Sequence, residues 1–243
     1  KAIATIFIVS AALLILACFF AYRIRITQDV KGSLDMSWKN LSQVLRNRRL
    51  LKFILFILLY SFGINGVLTW YGVYMDEIGA SRTLIGRAIS LQGFAELPFY
   101  LISAALFLRF GILRTIVFTF FMASIRALLY SSISSPSYVI LVELMHGVSL
   151  SLLIVAAVEY INRLVPPRWR ATGQSLFWAA IYGAGNLVGN VSVGYLHDKM
   201  PMQNVFQFFG LYLLIIAGFA VFLLKEKRNH VNSDDLATVP SDN

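Results

Sequence analysis

Four ionisable residues, Glu96, Arg126, Glu143 and His146, lie in stretches apolar enough to cross a lipid bilayer. Such side chains at membrane depth cost several kcal/mol, so they are rare and mark substrate, ion or proton paths. Glu143 and His146 are three residues apart and share a helix face. The arginine is protonated under all ordinary conditions. A carboxylate held between an arginine, which favours its charge, and burial, which opposes it, can take up and release a proton as helices move. The competing reading is a static ion pair that locks helices together, and His146 alone could be an interhelical hydrogen bonder.

Helical rise sets the depth of each group. At about 1.5 Å per residue, Glu96 stands about 20 Å above Arg109, Arg126 about 21 Å above Ile112, His146 about 26 Å above Arg163 and Glu143 about 30 Å above it. These groups form the candidate proton-coupling or ion-pair network. Glu159 is only about 6 Å from Arg163 along the helix, so it reaches the interface, where pairing with an arginine suits it better. Arg87, one turn from a helix end, is expected to snorkel.

Uncharged polar residues suggest a substrate surface. Ser61, Asn65, Thr69 and Gly72 share one helix face, and Gln92, Glu96 and Ser103 share an arc on the next helix. Further on, Gln174 and Trp178 face away from Gly183, Asn186 and Asn190, so one face should line a cavity and the other should pack. Asn65, Gln92, Gln174, Trp178, Asn186 and Asn190 are therefore the candidate cavity residues. Trp178 could stack on a sugar or aromatic ring, or equally belong to a lipid-facing belt.

The elements that must position these groups are long apolar segments: 2–22, 53–74, 83–108, 112–130, 138–165, 171–196 and 205–224. Each is long enough to span the hydrocarbon core. A mean hydropathy of +0.71, with 58% hydrophobic and 14% charged residues, excludes an ordinary soluble globular protein. The net charge of +9 suggests nucleic acid until the cations are placed. Sixteen of the 21 Lys and Arg fall in 23–52, 109–114, 163–170 and 225–228, which alternate with the segments. That is the positive-inside bias, and it puts the linker and the C-terminus in the cytosol. A cell-membrane location is the accompanying expectation.

The lone cysteine, Cys18, excludes an intrachain disulfide and a thiol-based metal cluster. No GxxxxGK[ST], HExxH, metal-ligand spacing or Ser–His–acid set is present, so no enzyme activity, metal or cofactor is implied. No lysine lies deep in a segment, which excludes a retinal Schiff base. The first segment has Arg23 and Arg25 after its apolar run, as a stop-transfer segment does and a cleaved signal does not.

Within 23–51, Leu34, Trp38, Leu41 and Leu45 recur at helical spacing against Lys39, Arg46, Arg48 and Arg49, an amphipathic helix on the cytosolic face. The remaining connections are short, so 52–228 forms one bundle of antiparallel neighbours. Residues 229–243 have a disordered composition. Pro98, two residues after Glu96, favours a kink. Gly183, Gly185, Gly189 and Gly194 serve close packing or a hinge.

A basic linker followed by a six-helix unit resembles the C-terminal half of a major facilitator superfamily transporter, preceded by the last helix of the N-terminal half. The motifs "LSQVLRNRRLLKFIL" (41–55), "RFGILR" (109–114) and "LVPPRWRATGQSLF" (164–177) are similar to the family's helix junctions. "HGVSLSLLIVAAVEYINRLVP" and "GAGNLVGNVSVGYLHD" resemble the subgroup of lactose permease, nucleoside–proton symporters and phenylpropionate carriers. The resemblance implies a proton-coupled symporter of a small organic solute, with a non-transporting receptor-like or scaffold protein and a proton-driven exporter as alternatives. It places Arg126 and His146 in the coupling network. Where lactose permease has a glutamate one turn after the histidine, this chain has Ser149, with Glu143 one turn before.

The expectation is an all-α polytopic membrane protein of about seven transmembrane helices. Residues 1–22 would be a helix of the N-terminal half, 23–51 the linker, 52–228 the bundle and 229–243 the tail. Its partners would be solute, protons, the bilayer and the missing N-terminal half, since an odd helix count beginning abruptly suggests a piece of a longer protein.

Overall fold

The computed structural model of the chain describes residues 2–23, 46–133 and 135–224, and all regular structure among them is helical. The expected amphipathic helix at 34–45 and the tail 229–243 lie outside the described residues.

Helix α1 (Ala2–Arg23) belongs to a unit of its own, Lys1–Met36. From Phe7 onward its side chains are exposed on every side, as in a helix meant for lipid or protein surroundings. Its basic last residue, Arg23, lies 5.2 Å from the Phe19 ring.

Among its described residues the second unit holds six helices long and apolar enough to cross a membrane: α2 (Arg48–Glu77), α3 (Arg82–Phe110), α4 (Ile112–Ser131), α5 (Pro136–Leu164), α6 (Pro167–His197) and α7 (Met202–Leu223). Helix α2 begins at Arg48, four residues before the expected start of the bundle, because Asn47 caps it. The Asn47 Oδ1 accepts from the backbone N–H of Arg49 and Leu50 at 3.1 and 3.2 Å. Its Nδ2 donates to the Leu164 carbonyl at 2.8 Å, tying the start of α2 to the end of α5. Ser81 caps α3, and Gly79 and Gly111, with φ of +82° and +84°, make the turns on either side of it.

Helix α2 forms the centre of the bundle. Phe53, Ile57, Tyr60, Ile64, Val67 and Tyr74 on it are buried, and Tyr60 stacks on Phe120 of α4 at 4.6 Å. Against α6 the backbones meet closely at Gly66 and Gly189, where an added Cβ would strike the Phe62 carbonyl. Gly185 and Gly194 likewise face Ser61 and Trp70, whereas Gly183 faces open space. Packing thus accounts for three of the four glycines. On the other side, α4 meets α7, with Ser124 Oγ donating to the Gly210 carbonyl at 2.8 Å.

Both α5 and α6 change pitch part-way, through π-helical stretches at Gly147–Ser151 and Ala179–Ala184. Such stretches shift the backbone ladder and occur often at functional sites. Helix α2 sends side-chain donors to both. Tyr60 donates to the Ser149 carbonyl at 3.2 Å. Ser61 and Asn65 both donate to the Ile181 carbonyl, Asn65 at 2.5 Å. A carbonyl with two side-chain donors is well satisfied in a medium that supplies no water.

Candidate functional site

Arg126, on α4, is the largest fully buried side chain of the described residues. Its Nη2 lies 2.7 Å from Glu143 Oε2 on α5. Its Nε and Nη2 donate to the Tyr130 hydroxyl at 3.1 and 2.8 Å, and Tyr130 in turn donates to Glu143 Oε1 at 2.6 Å. Gln92 of α3 donates to Glu143 Oε2 at 2.5 Å. Both oxygens of this wholly buried carboxylate are therefore occupied, and its charge is matched by a guanidinium at hydrogen-bond distance.

The remaining arm of Arg126 reaches the second half of the network. Nη1 stands 2.7 Å from His146 Nδ1. A guanidinium offers only donors, so Nδ1 must accept and the proton sits on Nε2. That Nε2 lies 3.1 Å from Glu96 Oε1 on α3, and Tyr100 donates to Glu96 Oε2 at 3.2 Å. Arg126 thus has Glu143 as its counter-ion, whereas Glu96 faces a neutral His146 and, among the described residues, no guanidinium within hydrogen-bond distance. Glu96 is also the accessible member of this network, with a side chain 27% exposed against none for Glu143.

Local sequence explains the convergence. Arg126 and Tyr130 are four apart, as are Glu96 and Tyr100, so each pair projects from one helix face. Gly147 lets α5 approach α3 so closely that a Cβ there would collide with the Ala95 carbonyl and the Phe99 ring. This contact brings His146 to Glu96 and Glu143 to Gln92. Tyr71 of α2 packs on Tyr130 at 5.5 Å, within electrostatic reach of Glu143, but its buried hydroxyl forms no hydrogen bond of good geometry.

All four ionisable residues singled out in the sequence meet in this network, and Gln92 joins them. The other candidates divide. Asn65 is buried in the α2–α6 seam, donating to Ser61 at 2.6 Å and to the Ile181 carbonyl. Asn190 donates to the carbonyl and Oδ1 of Asn186 at 2.9 and 2.6 Å, a local pairing along α6. Gln174 bridges to Asn162 of α5 at 3.0 Å. Trp178 is exposed and stacks on Tyr182 at 5.6 Å with the rings 5° from parallel. The Tyr182 hydroxyl lies within electrostatic reach of Glu96 and of Tyr100. By helical rise Tyr182 is about 22 Å above Pro167, a depth like that of Glu96 above Arg109. Glu159 pairs with Arg163 at 2.9 Å on the surface, as its spacing suggested.

Sequence reasoning passed over Tyr100, Tyr130 and Tyr182, although the four-residue spacing from Glu96, Arg126 and Trp178 was there to use. It also passed over a second acid–histidine pair, Glu77 with His197 at 3.0 Å, which joins the far ends of α2 and α6.

Residues 2–208 match the MFS_1 like family. The chain belongs to that family. It is 28% identical over 167 residues to the maltose permease of Geobacillus stearothermophilus, which covers 69% of this chain and 42% of that protein. Over 161 residues it is 26% identical to the "Uncharacterized transporter YwbF" of Bacillus subtilis (strain 168), covering 66% and 40%. The chain thus spans less than half the length of these relatives. A crystal structure of a mutant of the nucleoside transporter NupG superposes with a TM-score of 0.70 at 17% identity, over 89% of this chain and 60% of that one, a likeness of fold alone. The protein is an all-α, multi-pass integral membrane protein of the major facilitator superfamily, matching its C-terminal half, and is not placed among enzymes.

Proposed function

We propose that the chain forms one half of a secondary active transporter that couples proton movement to symport of a small organic solute by alternating access. The observation that carries this reading is the unequal treatment of two carboxylates in one network. Glu143 is sealed by Arg126, Tyr130 and Gln92, whereas Glu96 is partly exposed and hydrogen-bonded to a neutral histidine. A charged carboxylate facing lipid would be very costly. The Tyr100 hydroxyl donates to Glu96, and the Tyr182 hydroxyl, on a ring that stacks on exposed Trp178, lies within its electrostatic reach, polar groups suited to a hydrated cavity.

On this reading Glu96 takes the proton and His146, held in one tautomer by Arg126, receives and returns the hydrogen bond. The Arg126–Glu143–Tyr130 cluster keeps the histidine in place. Trp178 with Tyr182 offers a flat face to a solute ring with Gln174 on the same side, while Asn186 and Asn190 pair with each other further along α6. Asn65 serves the α2–α6 seam. The solute belongs to the sugar, nucleoside or aromatic-acid class. A maltose permease and a nucleoside transporter stand among the similar proteins. The other wall of the cavity comes from an N-terminal half, which also covers the exposed apolar face of α3 carrying Phe94, Leu97 and Leu101. The linker and C-terminus face the cytosol of the cell membrane, in keeping with the cations at that end of the bundle.

The test is uptake of a panel of labelled sugars, nucleosides and aromatic acids into vesicles holding the full-length protein, with and without an inward proton gradient. Gradient-driven uptake that Glu96→Gln uncouples from pH is the expected result. Uptake with unchanged pH dependence in E96Q would remove Glu96 as the carrier, and outward-only flux would favour an exporter. Absence of flux for the whole panel would favour the scaffold reading.

A further inference from the structure

The end of the bundle that carries Arg109, Arg114 and Arg163 holds a groove of about 350 Å³ that no transport step uses. Leu106 and Phe110 of α3, Arg114, Thr115 and Phe118 of α4 and Leu152 of α5 line it. Its volume lies at the low end of small-molecule clefts, roughly 300–1,000 Å³. The wall is almost wholly apolar. Thr115 adds no free polar group, because its hydroxyl donates to the Gly111 carbonyl at 2.9 Å. Phe110 and Phe118 stand about half exposed across the gap.

Arg114 belongs to the lining, and Arg109 directly precedes Phe110, another lining residue. Arg114 is three residues into α4 and Arg109 is in the last turn of α3. Both are exposed, and neither has an acidic partner among the described residues. Arg109 lies against the Phe110 ring at 5.4 Å, an arrangement that leaves its donors free. The groove opens between the last turns of α3, the first turns of α4 and Leu152 of α5.

We infer that this groove binds an anionic phospholipid of the bilayer leaflet at the basic end, its acyl chain against Leu106, Phe118 and Leu152 and its phosphate between Arg109 and Arg114. Charge complementarity decides the occupant. An apolar slot at membrane level admits any acyl chain, but two guanidinium groups at this end, without an acidic partner among the described residues, select a negatively charged headgroup, to which arginine presents a planar fork of donors. A juxtamembrane arginine contributes about a fivefold preference for an anionic surface, so the pair contributes about thirtyfold.

The full-length protein in phosphatidylcholine vesicles, doped with phosphatidylglycerol bearing a photoreactive acyl chain, supplies the test. Labelled residues would be mapped by mass spectrometry. Labelling concentrated at Leu106–Phe118 is expected, displaced by unlabelled phosphatidylglycerol and not by phosphatidylcholine. The double variant R109Q/R114Q would need about thirtyfold more phosphatidylglycerol for the same labelling. Labelling spread evenly over α7, equal displacement by phosphatidylcholine, or no labelling of the groove would each overturn the assignment. The wild-type competition decides the matter even where the double variant does not fold.

Discussion

Cutting the Arg126–Glu143 pair from either side should cost far more than one interhelical hydrogen bond. Three donor groups of Arg126 act on Glu143, Tyr130 and His146 within 2.7 to 3.1 Å, and both charged residues are fully buried. A single side-chain hydrogen bond between membrane helices is worth about 0.6 kcal/mol on average. Leaving one member of a buried ion pair without its partner costs about 3–5 kcal/mol, because the charge stays in a place that cannot solvate it. Arg126→Met strands the Glu143 carboxylate and frees His146 Nδ1, so a loss of about 4 kcal/mol is expected. Glu143→Gln keeps the shape but strands the guanidinium, for a loss of about 3 kcal/mol. The double variant strands neither charge. Its loss should fall well short of the sum of the two single losses, by a coupling of at least about 2 kcal/mol. Arg126→Lys would recover one contact and not the fork. The assay is reversible unfolding in mixed micelles, read by tryptophan fluorescence, for wild type, both singles and the double. Additive losses, or single losses below about 1 kcal/mol, would refute the view that this pair is electrostatically coupled and shielded from water.

Three further outcomes follow from contacts elsewhere in the bundle. Gly189→Ala should destabilise by about 1–3 kcal/mol, because the new methyl meets the Phe62 backbone carbonyl, which cannot yield; Gly183→Ala, with open space around it, should be neutral or slightly stabilising in the same unfolding assay. Asn47→Ala removes a helix cap and the bond to the Leu164 carbonyl, so a loss of about 1–2 kcal/mol is expected, with faster amide exchange in the first turn of α2. Tyr71→Phe deletes a buried hydroxyl that forms no good hydrogen bond and should leave stability within about 0.5 kcal/mol of wild type or raise it, measured by the same unfolding.

The helical elements were legible because membrane spans announce themselves by length and apolarity, and α2 to α7 each overlap an apolar segment in the sequence. Boundaries were less so. The Asn47 cap draws four residues of the basic linker into α2, and a cap depends on side-chain geometry that hydropathy does not register. The ionisable set was legible for the same reason as the spans, since a charge inside an apolar run stands out. Which carboxylate is sealed and which is open was not. That distinction depends on Tyr130 and Gln92, residues ordinary enough to belong equally to a packing face.

Asn65, Asn186 and Asn190 show the limit from the other side. In a membrane every amide must find a partner, so a polar stripe marks a seam as readily as a cavity. Ser61 and Asn65 spend their donors on the Ile181 carbonyl at the pitch change of α6, as Tyr60 does on Ser149 at that of α5. Neither π-helical stretch follows a residue pattern visible beforehand, because each is a register shift that tertiary donors stabilise. Yet one of them follows His146 directly and the other contains Tyr182. Helix α2 therefore braces, through adjacent residues Tyr60 and Ser61, the two segments that present the histidine and the aromatic face. Any shift of α2 against α5 and α6 must exchange those bonds, which ties the buried network to the exposed surface by direct contact.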